Sequence, residues 1–171
     1  MDYELRIAER FLACLSDSMG QKYVIKGRPN PPDFEFSLGD TETWLELTDI
    51  YSNNDQARFL NRSEEKVFRF EGSVDVTALR MITKLNEKLS KPSYNDAFQK
   101  FGPGILLLTC QDVLFGPVDL AQIRESVYSF SPVEDRGFFK RAYFEYLLDG
   151  QRVYRVVYPR SEALADWSAV A

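Results

Sequence analysis

A chain of 171 residues without one histidine excludes Ser-His-Asp and Cys-His catalysis and every imidazole-ligated metal site. Acid–base or metal chemistry would have to run on carboxylates, lysine, tyrosine or water. The 44% apolar and 27% charged shares are those of a globular chain, 14% aromatic residues favour a packed sheet, and a net charge of −5 argues against broad attachment to nucleic acid while leaving a local basic groove open.

The length predicts one domain over 1–171. The opening "MDYELRIAER" lacks the basic-then-apolar order of a signal peptide, and no apolar run reaches the ~18 residues of a membrane span. A cytoplasmic protein without a membrane partner is expected. Cys14 and Cys110 lie in apolar contexts without metal-ligand spacing and read as buried free thiols.

In chain order, Leu5, Ala8, Leu12 and Leu15 predict a helix over 3–18, stopped by Gly20. "KYVIKG" at 22–27 reads as a strand, and "RPNPP" as a stiff connection. "DFEFSL" at 33–38 and "TWLELTDIY" at 43–51 alternate around the turn signal "GDTE". Within 52–77, "NNDQARFLNRSEE" suggests a short helix and "KVFRFEG" a strand. Leu79, Ile82, Leu85 and Leu89 predict a helix over 78–89, ended by Pro92. "YNDAFQKFG" adds a helical turn or two. The apolar run "GILLLTC" at 104–110 reads as a strand buried on both faces. A helix from Pro117, a hairpin around Asp149-Gly150 and a terminal helix around Trp167 complete the series. The order predicts an α/β fold in two or three layers with a mixed sheet.

The first hairpin carries the chemistry. A four-residue loop, Gly39 to Glu42, would pair Leu38 with Thr43, Phe36 with Leu45 and Phe34 with Leu47. Asp33, Glu35, Glu46 and Thr48 then share the other face, with Asp33 opposite Thr48 and roughly 7 Å diagonal to Glu46. Two carboxylates so placed repel unless they face open water or share a cation. A solvated face is the ordinary reading. Trp44 and Ile50 on the side of Glu46 favour a cleft instead.

Helix, strand, "PPD", strand, "LELT", a lysine-rich helix and a buried strand, over about 4–109, resemble the PD-(D/E)XK nuclease-like superfamily. The resemblance implies a restriction-endonuclease-like mixed β-sheet flanked by helices. It also implies hydrolysis of DNA phosphodiester bonds with Mg²⁺ or Mn²⁺. Asp33 and Glu46 would be metal ligands and catalytic residues, the Leu47 carbonyl a further ligand, and an acid of the first helix a helper. Glu4 is in phase with Ile7, Ala8, Phe11 and Leu12; Glu9 stands at the better distance from Gly20 by comparison with resolvase-like members. The pattern departs at Thr48, where the family has its lysine. Some members move that lysine to a neighbouring helix, and Lys84, Lys88 and Lys91 are candidates, with Lys88 preferred; each also reads as part of a solvated helix face. Asp49 is a minor candidate on the opposite face of the strand. Arg58, Arg62, Lys66 and Arg69 form a basic scatter for a phosphate backbone, interrupted by Glu64 and Glu65.

The alternative is an inactive member of the same fold that binds a protein partner, as an immunity or regulatory protein. The missing lysine and the acidic charge favour it, since an acidic protein can neutralise a basic toxin. A homodimer is compatible with either. In a third reading the acids are solvated and Phe138, Phe139, Tyr143, Phe144, Tyr146 and Tyr154 form core or a binding surface.

Overall fold

The computed structural model describes residues 2–50, 74–114 and 117–168. Helix α1 (Tyr3–Met19) starts at Asp2, whose carboxylate accepts from the Glu4 and Leu5 N–H groups at 2.9 and 3.3 Å, and stops at Gly20, whose φ of 63° suits a residue without Cβ. Strands β1 (Tyr23–Gly27), β2 (Phe34–Leu38) and β3 (Thr41–Asp49) follow. Next come helix α2 (Val74–Ser90), a 3₁₀ turn (Pro92–Tyr94) and the short helix α3 (Asn95–Phe101). Strand β4 (Gly104–Leu114), helix α4 (Pro117–Ser129), strands β5 (Phe139–Leu148) and β6 (Gln151–Tyr158), and helix α5 (Arg160–Trp167) complete the order. The short helix and strand expected within 52–73 lie outside the described residues.

The strands form one six-stranded sheet in sequence order. β1, β2 and β3 are successively antiparallel, β3, β4 and β5 parallel, and β6 antiparallel to β5. The chain is therefore α/β with a mixed sheet flanked by helices. α1 covers one face, packing Ile7, Ala8, Phe11, Leu12 and Leu15 on Phe34, Phe36, Leu45, Ile105 and Leu107. The other face, with Trp44, Leu106, Leu108 and Phe144, lies under α2, α4 and α5. The run 104–110 is buried because alternate residues serve the two cores, which is why a central parallel strand is apolar throughout. Among the described residues no helix is long and apolar enough to cross a membrane.

Three expectations need correction. The first hairpin closes through two residues, Gly39-Asp40, so Leu38 pairs with Thr41, Phe36 with Thr43 and Phe34 with Leu45. Gly39 takes φ 58° at the first loop position, where a two-residue turn calls for glycine. The buried stripe of α2 is Ala78, Met81, Leu85 and Leu89, joined by Lys88; Leu79 is 66% exposed, because the helix turns that side to solvent. Cys110 is buried as expected, whereas Cys14 is exposed on the outer side of α1.

Candidate functional site

β3 supplies the centre of the site. Its residues Trp44 and Glu46, like Ile50 just past its end, turn to the face beneath α2, and Glu46 is only 6% exposed. A carboxylate so deep in a sheet needs partners. α2 delivers one, because Lys88 follows Met81 by seven residues and Leu85 by three and so falls in the buried stripe. Its Nζ lies 2.8 Å from Glu46 Oε1. Pro92 ends α2, and the 3₁₀ turn brings the buried Tyr94 against the sheet, where its hydroxyl donates to the same Oε1 at 2.7 Å. Burial, the Glu46 charge and this hydrogen bond push the Tyr94 phenol up, so it stays a neutral donor. Glu46 Oε2 is buried and has no hydrogen-bond partner among the described residues.

Trp44 braces this arrangement. Its ring stacks on Tyr94 at 5.5 Å between centroids, and Nε1 donates to the Gly102 carbonyl at 2.9 Å. Gly104 makes room for it: a Cβ there would lie 2.3 Å from Trp44 Cδ2.

Asp33 enters from the end of β2. Phe34 pairs with Leu45, so the next positions outward bring Asp33 opposite Glu46 rather than Thr48. Its Oδ2 accepts from the Leu47 N–H at 2.7 Å. An extended residue turns its N–H and C=O to the same edge, so the Leu47 carbonyl is directed to the side that Asp33 occupies. Burial, then the Glu46 charge, raise the Asp33 carboxyl from 3.8 to about 6, against the lowering effect of the Leu47 N–H and Lys88. Glu4 adds to the rise, so its charge is felt at the site.

Beside these residues a cleft of about 300 Å³ opens between the start of α1, the end of β3 and α2, lined by Glu4, Thr48, Asp49 and Lys84 among others. Glu4 stands at its mouth but is exposed. Its Oε2 accepts from Arg28 Nη2 at 2.9 Å. Arg28 also pairs with Asp2 at 2.5 Å and lies over the Phe34 ring at 4.7 Å. Glu9 is half-buried further along α1 and does not line the cleft. Asp49 Oδ1 accepts from Thr109 Oγ1 at 2.5 Å. The site thus brings together Asp33, Glu46, Leu47 and Lys88. Glu4 stands at the rim and Glu9 outside. Arg58, Arg62, Lys66 and Arg69 lie outside the described residues.

Among the described residues no three Cys, Asp or Glu side chains come together closely enough to hold a metal ion. The oxygen donors available to a cation are Asp33, Glu46 Oε2 and the Leu47 carbonyl. Tyr94 escaped the sequence reading. The signal for it was an aromatic just past the proline that ends a helix on the buried side, where the chain must turn back to the sheet. Comparison with protein-family models, with curated proteins and with solved structures finds no match for the chain.

Proposed function

We propose that the chain is a metal-dependent phosphodiester hydrolase of restriction-endonuclease-like architecture acting on DNA, with its lysine supplied by α2 in place of the strand position held by Thr48. The observation that carries this reading is the 2.8 Å contact of Lys88 Nζ with Glu46, the strand acid whose charge is felt by Asp33.

The donor chemistry suits Mg²⁺ or Mn²⁺, which take oxygen ligands. Glu46 offers Oε2, since Oε1 is held by Lys88 and Tyr94. Asp33 offers Oδ1, since Oδ2 receives the Leu47 N–H. Burial, and then the Glu46 charge, raise the Asp33 carboxyl, and a bound cation would oppose both effects. A divalent ion held there would lower the pKa of a water molecule and offset charge on the phosphoryl oxygens. The protein's own part is positioning: Tyr94 and Lys88 fix the rotation of the Glu46 carboxylate, and Lys88 supplies a donor that can orient water or a phosphoryl oxygen. Burial of these groups strengthens each interaction relative to water.

The test is thermal melting with EDTA, Mg²⁺ or Mn²⁺, beside cleavage of labelled DNA. Millimolar metal should raise the melting temperature of the wild type. Asp33→Asn and Glu46→Gln should remove that rise, and Lys88→Ala should lose cleavage while keeping it. A wild type indifferent to metal refutes the reading. Metal binding without cleavage of any DNA would turn the assignment to the inactive, partner-binding alternative, for which capture of a basic protein that dissociates with salt is the check.

A further inference from the structure

Two lysines stand one helical turn apart on α2, and they are held very differently. Lys88 is buried, with Nζ committed to Glu46. Lys84 lines the cleft beside Thr48 and Asp49. Its side chain is 41% exposed, and its Nζ lies 3.2 Å from Oε2 of the equally open Glu87. A surface pair at i, i+3 is weak and yields to a better anion. The cleft it borders is acidic, with Glu4 and Asp49 in its walls, and Leu47, whose N–H binds Asp33, lines it too. A phosphodiester cannot approach these carboxylates without a cation on its path. Lys84 is the lysine of the cleft wall, four residues from the one that holds Glu46.

We propose that Lys84 grips a backbone phosphate of the nucleic-acid strand entering this cleft, exchanging Glu87 for the phosphate oxygens. Lys88 thereby keeps to Glu46, and the two lysines divide binding from positioning. The assignment rests on the phosphodiesterase reading above.

The experiment measures fluorescence anisotropy of a fluorescein-labelled single-stranded DNA oligonucleotide with the Ca²⁺-loaded full chain, and steady-state cleavage with Mg²⁺. Lys84→Ala should weaken binding about tenfold, as for loss of one charge-assisted contact. It should also shallow the salt dependence of log K by about 0.7, the contribution of one single-strand phosphate. KM should rise with kcat unchanged, and Lys84→Arg should restore both binding and salt slope. The melting temperature should stay at the wild-type value. Wild-type affinity and slope in Lys84→Ala would make Lys84 a solvated helix residue and overturn the proposal; so would a loss confined to kcat. A wild type that neither binds the oligonucleotide nor gains stability from metal overturns the underlying reading as well. A wild type that does both, matched by Lys84→Ala, overturns only the role of Lys84.

Discussion

Replacing Asp33 by asparagine isolates the cost of burying its carboxyl beside Glu46. The amide keeps an oxygen to accept the Leu47 N–H, and it removes the negative charge facing Glu46. In the metal-free protein the Asp33 carboxyl is raised from 3.8 to about 6, chiefly by burial and then by Glu46. The folded chain therefore holds this proton more tightly than the unfolded chain. Between pH 3.8 and about 6 the folded state binds more protons, so its stability falls as pH rises through that window. The full difference between the two protonation states corresponds to about 3 kcal/mol. Asp33 is only partly buried, so solvent screening brings the expected effect to roughly 1–2 kcal/mol.

Urea unfolding in EDTA, followed by the fluorescence of the buried Trp44 and Trp167, measures it. The Asp33→Asn variant should gain on wild type by that amount as pH rises from 4 to 7.5, with most of the change complete by pH 6.5. Differencing the two proteins removes titrations remote from the site. Mg²⁺ at pH 7.5 should then stabilise the wild type alone. A stability difference between wild type and Asp33→Asn that is flat from pH 4 to 7.5 would refute the reasoning, because it would mean that Asp33 and Glu46 do not share a poorly solvated space.

Three further substitutions test the supports of Glu46. Lys88→Met leaves a buried carboxylate without its cation and should cost about 3–5 kcal/mol in urea unfolding, much of it recovered when Glu46→Leu is added. Tyr94→Phe removes a 2.7 Å hydrogen bond to a charged oxygen while keeping the ring against Trp44, and should cost about 1.5–3 kcal/mol. Gly104→Ala drives a methyl into the Trp44 ring and should cost about 1–3 kcal/mol with altered native tryptophan fluorescence; an unchanged spectrum and unchanged stability would mean that the ring has room to move.

The elements whose signal is local were legible in the sequence. Asp149-Gly150 closes the second hairpin with φ values of 51° and 75°, the conformation for which that dipeptide is chosen, and the apolar run 104–110 is the two-faced strand it resembled. The faces of β2 and β3 were also legible, because alternation has period two. Their register was not. A slip of two residues leaves every side chain on its face, so the pattern is the same for a two-residue or a four-residue loop, and only the turn geometry decides. That slip is what brings Asp33 opposite Glu46. Lys88 was harder to read, since a lysine next to an apolar stripe is normally its solvated margin. Only the presence of a buried acid on the strand beneath turns that margin inward, and the pairing of α2 with β3 is a long-range fact.

The sheet buries a second acid, and the comparison sharpens what is unusual about the first. Glu145 on β5 is fully buried on the α1 face, where Arg10 meets its Oε1 at 2.8 Å and Arg152 at 3.3 Å. Two guanidinium groups answer one carboxylate there, as a buried charge requires for structural purposes. On the opposite face Asp33 and Glu46 set two carboxylates beside the ammonium of Lys88, with Glu4 adding its charge from the rim, where Arg28 pairs with it and feels Asp33 as well. Burial, then the Glu46 charge, hold the Asp33 carboxyl up at about 6. A sheet that sets two guanidinium groups against Glu145 has the means to give Glu46 another arginine or lysine. Crowding Asp33 against Glu46 in a poorly solvated space costs stability, and carboxyl groups perturbed in this way gather at functional sites. Under the proposed function a divalent cation would offset both carboxylates, so the metal dependence of stability is the measurement on which that reading stands or falls.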